Sequence, residues 1–270
     1  MKSQNEKAEL FKKIHNDTST FIIPNPWDVA SAKILTYFGF KALATSSAAH
    51  AFSEGAYDNS VPINDILTHL QKIVSATDLP VSADLGNGFY KNPKKIFETI
   101  KLSVTTGIVG ASIEDVNGNS AYSIELSTER ITAAVEAVKS LDFPFTLTAR
   151  SDNYIIGNQD LKDTIKRLQA YQNAGADVLF APGIQTIEEV QSILYEIDKP
   201  LNVLIGIKGS LLNYEDLSKL GVKRISLGAS LYRNAMTSFV DTIKQISQTK
   251  NFSYAQKSIS SNELNNLLSL

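Results

Sequence analysis

The amino-acid sequence has 270 residues, of which 43% are hydrophobic and 20% charged, and this allows one or two globular domains with a large core. The net charge of -2 provides no basic surface for nucleic acid, and no apolar run reaches the roughly 20 residues of a membrane-spanning helix. The absence of cysteine excludes disulfides and thiol nucleophiles and, with a polar start unlike a signal peptide, predicts a cytoplasmic protein without nucleic-acid or membrane partners.

The first half of the chain alternates apolar runs with helical segments. Strands are predicted at 21–23 and 42–45, and between them Asp28 can cap a helix over 29–38. A loop of small residues at 46–50 and a polar segment at 51–61 precede a helix that Pro62 opens. A third strand at 79–83 is followed by Asn92 and Pro93, an N-cap with proline at the first helical position.

The second half continues this alternation. We predict strands at 111–113, 143–148, 175–180, 201–205 and 223–227. Helices are predicted over 128–139, 160–173, 187–196, 215–220 and 229–248, and one or two short helices over 253–270.

Four strands share one pattern, in which a helix-ending glycine precedes a short loop and an apolar run. These glycines are Gly39, Gly107, Gly175 and Gly221. In all, eight strand candidates with helices between most pairs predict an α/β fold, a (β/α)8 TIM barrel over 1–250 with additional C-terminal helices over 251–270. The alternative, an open doubly wound sheet, normally brings a Gly-x-Gly-x-x-Gly motif after the first strand, and residues 25–28 are unlike it.

Two carboxylates follow neighbouring predicted strands. Asp84 comes directly after residues 79–83, and Glu114 directly after residues 111–113. Between them Gly86-Asn87-Gly88 allows a tight turn and a close approach to a ligand. Two oxygen donors at adjacent strand ends favour Mg²⁺ over Zn²⁺, although helix capping and loop closure are the other common use of such residues.

In a barrel, the carboxyl ends of all strands share one rim, which holds the active site. Polar or aromatic residues follow most strands here: Trp27 and Asp28, Ser46 and Ser47, Asp84, Glu114, Arg150, and Lys208 with Ser210. We assign Lys208 and Ser210 to substrate binding. Arg150 either clamps a substrate carboxylate or phosphonate, or forms an ion pair with Asp152 or Glu114.

Other polar residues are less informative. Asp58 lies in a glycine-bearing segment that is either a mobile lid or a solvated loop. His15, His50 and His69 fall on different elements without metal-ligand spacing, and we expect them to be surface or core residues.

These residues lie within motifs that resemble the isocitrate lyase / phosphoenolpyruvate mutase superfamily over nearly the whole chain. The motifs are Asn25-Pro-Trp-Asp-Val-Ala-Ser-Ala32, Thr45-Ser-Ser47, Val81-Ser-Ala-Asp-Leu-Gly-Asn-Gly88, Ala111-Ser-Ile-Glu-Asp115, Thr148-Ala-Arg-Ser-Asp152, Pro200-Leu-Asn-Val203 and Arg224-Ile-Ser-Leu-Gly-Ala-Ser-Leu-Tyr-Arg233. The resemblance implies Mg²⁺ (with Mn²⁺ as a substitute) at the barrel rim, a small anionic 2-oxo acid as substrate, and a homodimer or homotetramer that exchanges a C-terminal helix.

The resemblance also implies a role for each matching residue. It places the metal on Asp84 and Glu114, partly through water, and the substrate carboxylate on Ser46 and Ser47. It further implies that Arg150 binds the substrate anion, that Asp58 acts in catalysis through the lid and the polarity of the site, and that Trp27 packs on the substrate.

Two departures from the family pattern limit the functional prediction. Ser82 stands where the family usually has a first aspartate, and the loop 115–122 lacks the Lys-Cys-Gly-His of the isocitrate and methylisocitrate lyases. We therefore predict a Mg²⁺-dependent lyase that cleaves a C–C bond of a small 2-oxo or 2-hydroxy di- or tricarboxylic acid through an enolate. The alternatives are a phosphonopyruvate or phosphoenolpyruvate mutase or hydrolase acting on a P–C bond, and a barrel that binds a metabolite without catalysis.

Overall fold

The fold is an α/β barrel of eight parallel strands with helices between them, in a computed structural model that describes residues 2–269. The strands in chain order are β1 (Phe21–Ile23), β2 (Leu43–Ala44), β3 (Val81–Asp84), β4 (Gly110–Glu114), β5 (Val116–Asn117), β6 (Ser120–Ala121), β7 (Thr146–Arg150), β8 (Val178–Phe180), β9 (Leu201–Leu204) and β10 (Arg224–Ser226). Strands β5 and β6 form a separate antiparallel hairpin.

The eight parallel strands run in the order β1-β10-β9-β8-β7-β4-β3-β2, so the two ends of the sheet belong to the first two strands of the chain. These ends meet, because the Ala44 N–H donates to the Pro24 carbonyl at 3.1 Å. The side-chain amide of Asn25 adds a bond to the Thr45 carbonyl at 2.9 Å. The predicted TIM barrel is thereby confirmed, and the open doubly wound sheet is excluded.

Helices cover the outside of the barrel. They are α1 (Gln4–Asn16), α2 (Val29–Tyr37), α3 (Ser47–Ser53), α4 (Ile63–Ser75), α5 (Pro93–Val104), α6 (Ile124–Lys139), α7 (Leu161–Ala174), α8 (Ile187–Glu196), α9 (Tyr214–Lys219), α10 (Ser230–Thr249) and α11 (Ser261–Leu268), with a short 3₁₀ turn at Ser253–Lys257. The caps predicted at Asp28, Asn92 and Thr186 are present, each accepting a backbone N–H of the first helical turn.

Three local predictions were wrong. Residues 46–50 were expected to form a loop, but Ser46 caps α3 and the helix continues to Ser53. The helix expected from residue 128 begins at Ile124, because Ser123 is the residue that caps it. The loop after β4 contains the hairpin β5–β6, which the glycine and asparagine at its turn permit.

The main hydrophobic core lies between the barrel wall and the surrounding helices. A second, smaller cluster closes the amino-terminal end of the barrel, where Phe11 of α1 packs with Phe21, Ile23 and Val109. Phe11 lies so close to the backbone of β4 that only glycine fits at position 110. The helix α1 therefore closes the end opposite to the predicted rim.

The C-terminal helices differ from the others. None of the residues of α10 is buried, whereas α11 packs against α2 and the Lys33 ammonium donates to the Leu268 carbonyl at 3.1 Å. Among residues 2–269, no helix combines the length and the apolar character needed to cross a bilayer.

The close approach of α1 to β4 leads to a stability prediction. A Cβ atom at Gly110 would lie 2.8 Å from both the Thr146 carbonyl oxygen and Phe11 Cε1. We expect Gly110→Ala to lower the free energy of unfolding in urea by about 3 kcal/mol. The control is Gly221→Ala, where φ is +88° but no atom lies within 4 Å, so that only backbone strain of about 1 kcal/mol is expected. Equal losses in the two variants would contradict this account.

Candidate active site

A cleft of about 590 Å³ opens at the carboxyl end of the parallel strands. The ionisable side chains that line it are Asp58, Asp84, Glu114, Arg150, Asp152, Arg224 and Arg233. Each strand contributes its last residue, or the loop directly after it, because parallel strands all end at the same rim. The cleft is therefore where the sequence predicted the active site.

Arg150, the last residue of β7, is at the centre of these carboxylates. Its guanidinium lies 2.9 Å from Glu114, 3.3 Å from Asp84 and 2.8 Å from Asp152, and the contact with Asp152 is bidentate. Although burial alone would lower it, Asp152, Glu114 and Asp84 together raise the pKa of Arg150. The ion-pair alternative considered for Arg150 is thus what this state of the protein contains, with Asp84 as a third partner.

The pairing of β4 with β7 explains this arrangement. Glu114 and Arg150 are partners in the parallel register, so their side chains project side by side into the cleft. The guanidinium also lies over the ring of Phe180 at the end of β8, 5.0 Å from its centroid. The strands on both sides of β7, namely β4 and β8, therefore fix the position of the Arg150 guanidinium.

Asp84 is held by donors on both carboxylate oxygens. The Ser47 N–H donates to Oδ2 at 3.1 Å, and the Ser112 hydroxyl and the Gly86 N–H donate to Oδ1 at 3.2 and 3.3 Å. The Thr45 hydroxyl accepts the N–H of Asp84 itself. The carboxylate of Asp84 thus has a fixed orientation at the end of β3.

The carboxylates around Arg150 outnumber it, and the pKa values of Glu114 and Asp58 are raised. Burial raises the pKa of Glu114 well above its ordinary value, and repulsion by Asp152, Asp84 and Asp58 adds to this although Arg150 opposes it. The pKa of Asp58, at the mouth of the cleft, is raised by partial desolvation and then by Asp84, while a hydrogen bond with Ser47 lowers it. A further positive charge would therefore be stabilised here.

The carboxylates of the cleft suit Mg²⁺, which needs few protein ligands, better than they suit a metal whose ligands all come from the protein. Within residues 2–269, no group of three or more His, Cys, Asp or Glu side chains converges closely enough to hold a metal ion. Asp84 and Glu114 offer carboxylate oxygens on adjacent strands, each about as far as the other from the Arg150 guanidinium. Mg²⁺ usually takes one or two carboxylates and keeps several waters or substrate oxygens, which suits such a pair.

Ser46 and Ser47 also line the cleft, but their polar groups are partly engaged. The Ser46 hydroxyl caps α3 by accepting the Ala49 N–H at 3.3 Å, and the Ser47 N–H is bound to Asp84. Gly118 and Asn119 at the turn of the β5–β6 hairpin line the same cleft. Asn119, for which no role was predicted, thus adds a polar side chain to it.

The structure does not bring three of the predicted substrate-binding residues into the cleft. Trp27 borders a neighbouring cavity of about 630 Å³ and packs edge-to-face on Tyr232, with ring centroids 5.5 Å apart. Lys208 is exposed beyond β9, and neither it nor Ser210 lines the cleft, whereas Ile207 does. A residue that follows a strand in the sequence does not always turn toward the barrel axis.

Two buried residues that bind the loops of the cleft, Arg130 and Asp115, were not predicted from the sequence. Buried Arg130 of α6 donates to the carbonyls of Glu114 and Asn87 and so ties together the loops after β4 and β3. Asp115 accepts the Asp152 N–H at 2.9 Å and also binds Tyr171 at 2.7 Å. The only sequence signal was that Asp115 and Asp152 belong to the quoted strand-end motifs, since Arg130 lies within an ordinary helix.

Comparisons with known proteins agree with this geometry. The sequence model of the phosphoenolpyruvate phosphomutase family matches residues 11–247. A 2-methylisocitrate lyase of Halalkalibacterium halodurans is 27% identical over 210 residues, which cover 74% of this chain and 68% of the relative.

Two solved structures illustrate the likeness of fold. A protein of Burkholderia cenocepacia J2315 assigned as a lyase/mutase is 44% identical, with a TM-score of 0.96 over 99% of this chain and 97% of that chain. A phosphonopyruvate hydrolase solved with oxalate and Mg²⁺ is 21% identical, with a TM-score of 0.84 over 97% of this chain and 94% of that chain, and shows the fold alone. Since the family match spans almost the entire barrel, the chain belongs to the phosphoenolpyruvate phosphomutase family.

Proposed function

We propose that this protein is a Mg²⁺-dependent lyase that cleaves a C–C bond of a small 2-oxo or 2-hydroxy di- or tricarboxylic acid through an enolate. The observation that carries the proposal is the cluster of Asp84, Glu114 and Asp152 around the Arg150 guanidinium at the barrel rim, with Asp58 in the same cleft. Three carboxylates that share one guanidinium favour a divalent cation at this rim. The 2-methylisocitrate lyase relative supports C–C cleavage as the reaction class.

Asp84 and Glu114 are the residues that we propose to hold Mg²⁺, with Mn²⁺ as a substitute. Mg²⁺, when bound, supplies a Lewis acid that polarises the oxygens of an oxo acid. The donors on both oxygens of Asp84 keep its carboxylate in place without reorganisation. The phosphonopyruvate hydrolase with the same fold was solved with Mg²⁺ and oxalate, which supports the choice of metal.

Arg150 is the group that we propose to bind the substrate anion. In the present state its guanidinium is shared among three carboxylates, and a divalent cation that binds Asp84 and Glu114 would compete with it for both. The bidentate bond to Asp152 keeps the guanidinium oriented meanwhile. Arg150 thus has a fixed side, toward Asp152, and a side that becomes free for a carboxylate or phosphonate.

The backbone at Ser46 and Ser47 and the side chain of Asp58 complete the proposed site. We propose that the two serines contact the substrate carboxylate and that Asp58 acts as the acid–base group at the mouth of the cleft. The upward shift of the pKa of Asp58 brings it closer to the range in which a carboxyl transfers protons near neutral pH. The hairpin 116–121 carries no acid, base or thiol, so this role cannot come from there.

Cleavage of a P–C bond is the second candidate reaction, because the matching family is that of a phosphomutase. A panel of 2-oxo and 2-hydroxy di- and tricarboxylic acids, with phosphonopyruvate, assayed with and without Mg²⁺ distinguishes the candidates. We expect release of a 2-oxo acid from a carboxylic substrate in Mg²⁺ only, and an unchanged ³¹P NMR spectrum for phosphonopyruvate. Conversion of phosphonopyruvate would favour the second candidate, and ligand-induced thermal stabilisation without turnover would favour a binding protein.

The metal assignment is tested by Asp84→Asn. We expect turnover of whichever acid the wild-type protein cleaves to fall by about 100-fold or more, because the charge stabilisation of several kcal/mol that the metal gives depends on this ligand. Asp142→Asn, an exposed change in the turn before β7, is the control and should leave both the rate and the Mg²⁺ dependence unchanged. An active Asp84→Asn variant with the wild-type Mg²⁺ dependence would refute the assignment.

We also propose that the chain forms a homodimer or homotetramer through its C-terminal helices, with residues 251–270 as a helical tail outside the barrel domain 1–250. The helix α10 supports this, because it presents the apolar side chains of Phe239, Val240 and Ile243 to solvent. Apolar groups in one helical stripe are typical of an interface.

Light scattering after size-exclusion chromatography tests the proposed oligomer. The double variant Phe239→Ser/Ile243→Ser should run as a smaller species than the wild-type protein, because it removes apolar area from the proposed interface. Tyr195→Ser on α8, where the side chain is 89% exposed, is the control and should keep the wild-type mass. A wild-type protein that is already monomeric would contradict the proposal.

A further inference from the structure

The interior of this barrel is polar below the carboxylate cluster. TIM barrels usually fill this space with bulky branched side chains. Here the residues that line the deep part of the cleft include Ser82, Ser112, Asn202, Arg224 and Ser226. Ile113 and Val203 of the same strands belong to the hydrophobic core and do not line the cleft, although Ile23, Ala83 and Leu204 do. The cleft therefore continues into the barrel as a pocket with several polar groups.

Arg224 is the cation of this pocket. It is the first residue of β10, its side chain is 5% exposed, and it lines the cleft. Its Nε–H donates to the Asn202 side-chain oxygen at 3.0 Å, and one terminal nitrogen donates to the Thr148 hydroxyl at 3.0 Å. The other lies 3.5 Å from His15 Nε2.

All of these partners are uncharged. His15 is neutral, because burial and then Arg224 lower its pKa to about 3, and its Nδ1–H donates to the Phe11 carbonyl. Within residues 2–269, no carboxylate lies within 4.0 Å of the Arg224 guanidinium. A guanidinium has five N–H donors, and these three contacts use three of them.

The contrast with Arg150 is informative. Arg150 has three carboxylate partners, whereas the buried Arg224 has none, and burial lowers the pKa of Arg224 to about 9. A buried charge without a counter-charge costs several kcal/mol, so a protein that keeps one gains by binding an anion there. In this state of the protein Arg150 is occupied by carboxylates, whereas the buried Arg224 inside the barrel is open to an anion.

We propose that Arg224, together with Asn202 and Ser226, forms an anion subsite inside the barrel that binds the distal carboxylate or phosphonate of the substrate. Arg224 lies two residues before Ser226, the end of β10, which corresponds to about 6.6 Å along a strand. A small dicarboxylate has this length, so one carboxylate can bind Arg224 while the other remains at the rim. The subsite therefore selects diacids over monoacids. Only the position of the carboxylate at the rim rests on the proposed function.

Isothermal titration with malonate, with and without Mg²⁺, tests the subsite without requiring turnover. We expect wild-type protein to bind malonate and Arg224→Gln to bind it at least about 10-fold more weakly, because a charge-assisted hydrogen bond is lost. Lys223→Gln, which removes the same charge from the adjacent residue on the outside of the barrel, should bind like the wild type. Acetate should bind no better to wild-type protein than to Arg224→Gln.

A second measurement covers the case in which Arg224→Gln does not fold. Crystals of the wild-type protein grown in selenate allow the anion to be located from the anomalous signal of selenium. A selenate ion bonded to the Arg224 guanidinium supports the subsite. Selenate only at the rim or on the surface, or malonate binding that is absent or unaffected by Arg224→Gln, would overturn it. Absence of the proposed lyase activity would not overturn the subsite, because neither experiment depends on turnover.

Discussion

The arrangement of the cleft depends on one interaction, the sharing of the Arg150 guanidinium by Glu114, Asp84 and Asp152. It forms because β4 and β7 are paired in parallel with Glu114 opposite Arg150, and because β3 lies on the other side of β4. Without the arginine, these buried carboxylates would repel one another and the rim would lose its shape. The same arginine leaves the cluster with an excess of negative charge, and this excess is the basis of the proposed metal site.

Two buried charged residues outside the cleft, Arg130 and Asp115, bind the loops that carry this cluster. Arg130 binds main-chain carbonyls of the loops after β3 and β4, and Asp115 joins the loop after β7 to helix α7 through Arg167 and Tyr171. Arg130 and Asp115 are buried and do not line the cleft, so they do not take part in the reaction directly. Arg224 is different, because it is buried without a carboxylate partner among the described residues and also lines the cleft, which Arg130 does not. This difference separates a positioning arginine from a binding arginine.

The barrel could be predicted from the sequence because its signals are local. A helix-ending glycine before an apolar run, and caps such as Asp28 and Thr186, fix the alternation of helices and strands. Asp84, Glu114 and Arg150 could be placed at the rim for the same reason, since the residue that ends a parallel strand must lie there. Where several serines and threonines could cap a helix, as before the predicted helix 128–139, the start was placed too late, because Ser123 is the cap.

What the sequence could not indicate is the direction in which a side chain points after a strand ends. Trp27 and Lys208 each lie four residues beyond the end of a strand, whereas Arg150 is itself the last residue of β7, and neither Trp27 nor Lys208 lines the cleft. Arg224 illustrates the opposite case. It reads as an ordinary charged residue at the start of a strand, and only the closure of the barrel places it inside. Such orientations depend on contacts between distant segments, which no local pattern contains.

The central claim is that the carboxylate cluster around Arg150 binds a divalent cation. A crystal structure of the protein with Mn²⁺ and oxalate tests it most directly, because manganese is located by its anomalous signal. The account predicts a single manganese peak between Asp84 and Glu114, with oxalate bound to it and the Arg150 guanidinium no longer shared with both of these carboxylates. Manganese absent from the cleft, or bound elsewhere while Arg150 keeps all three ion pairs, would contradict it.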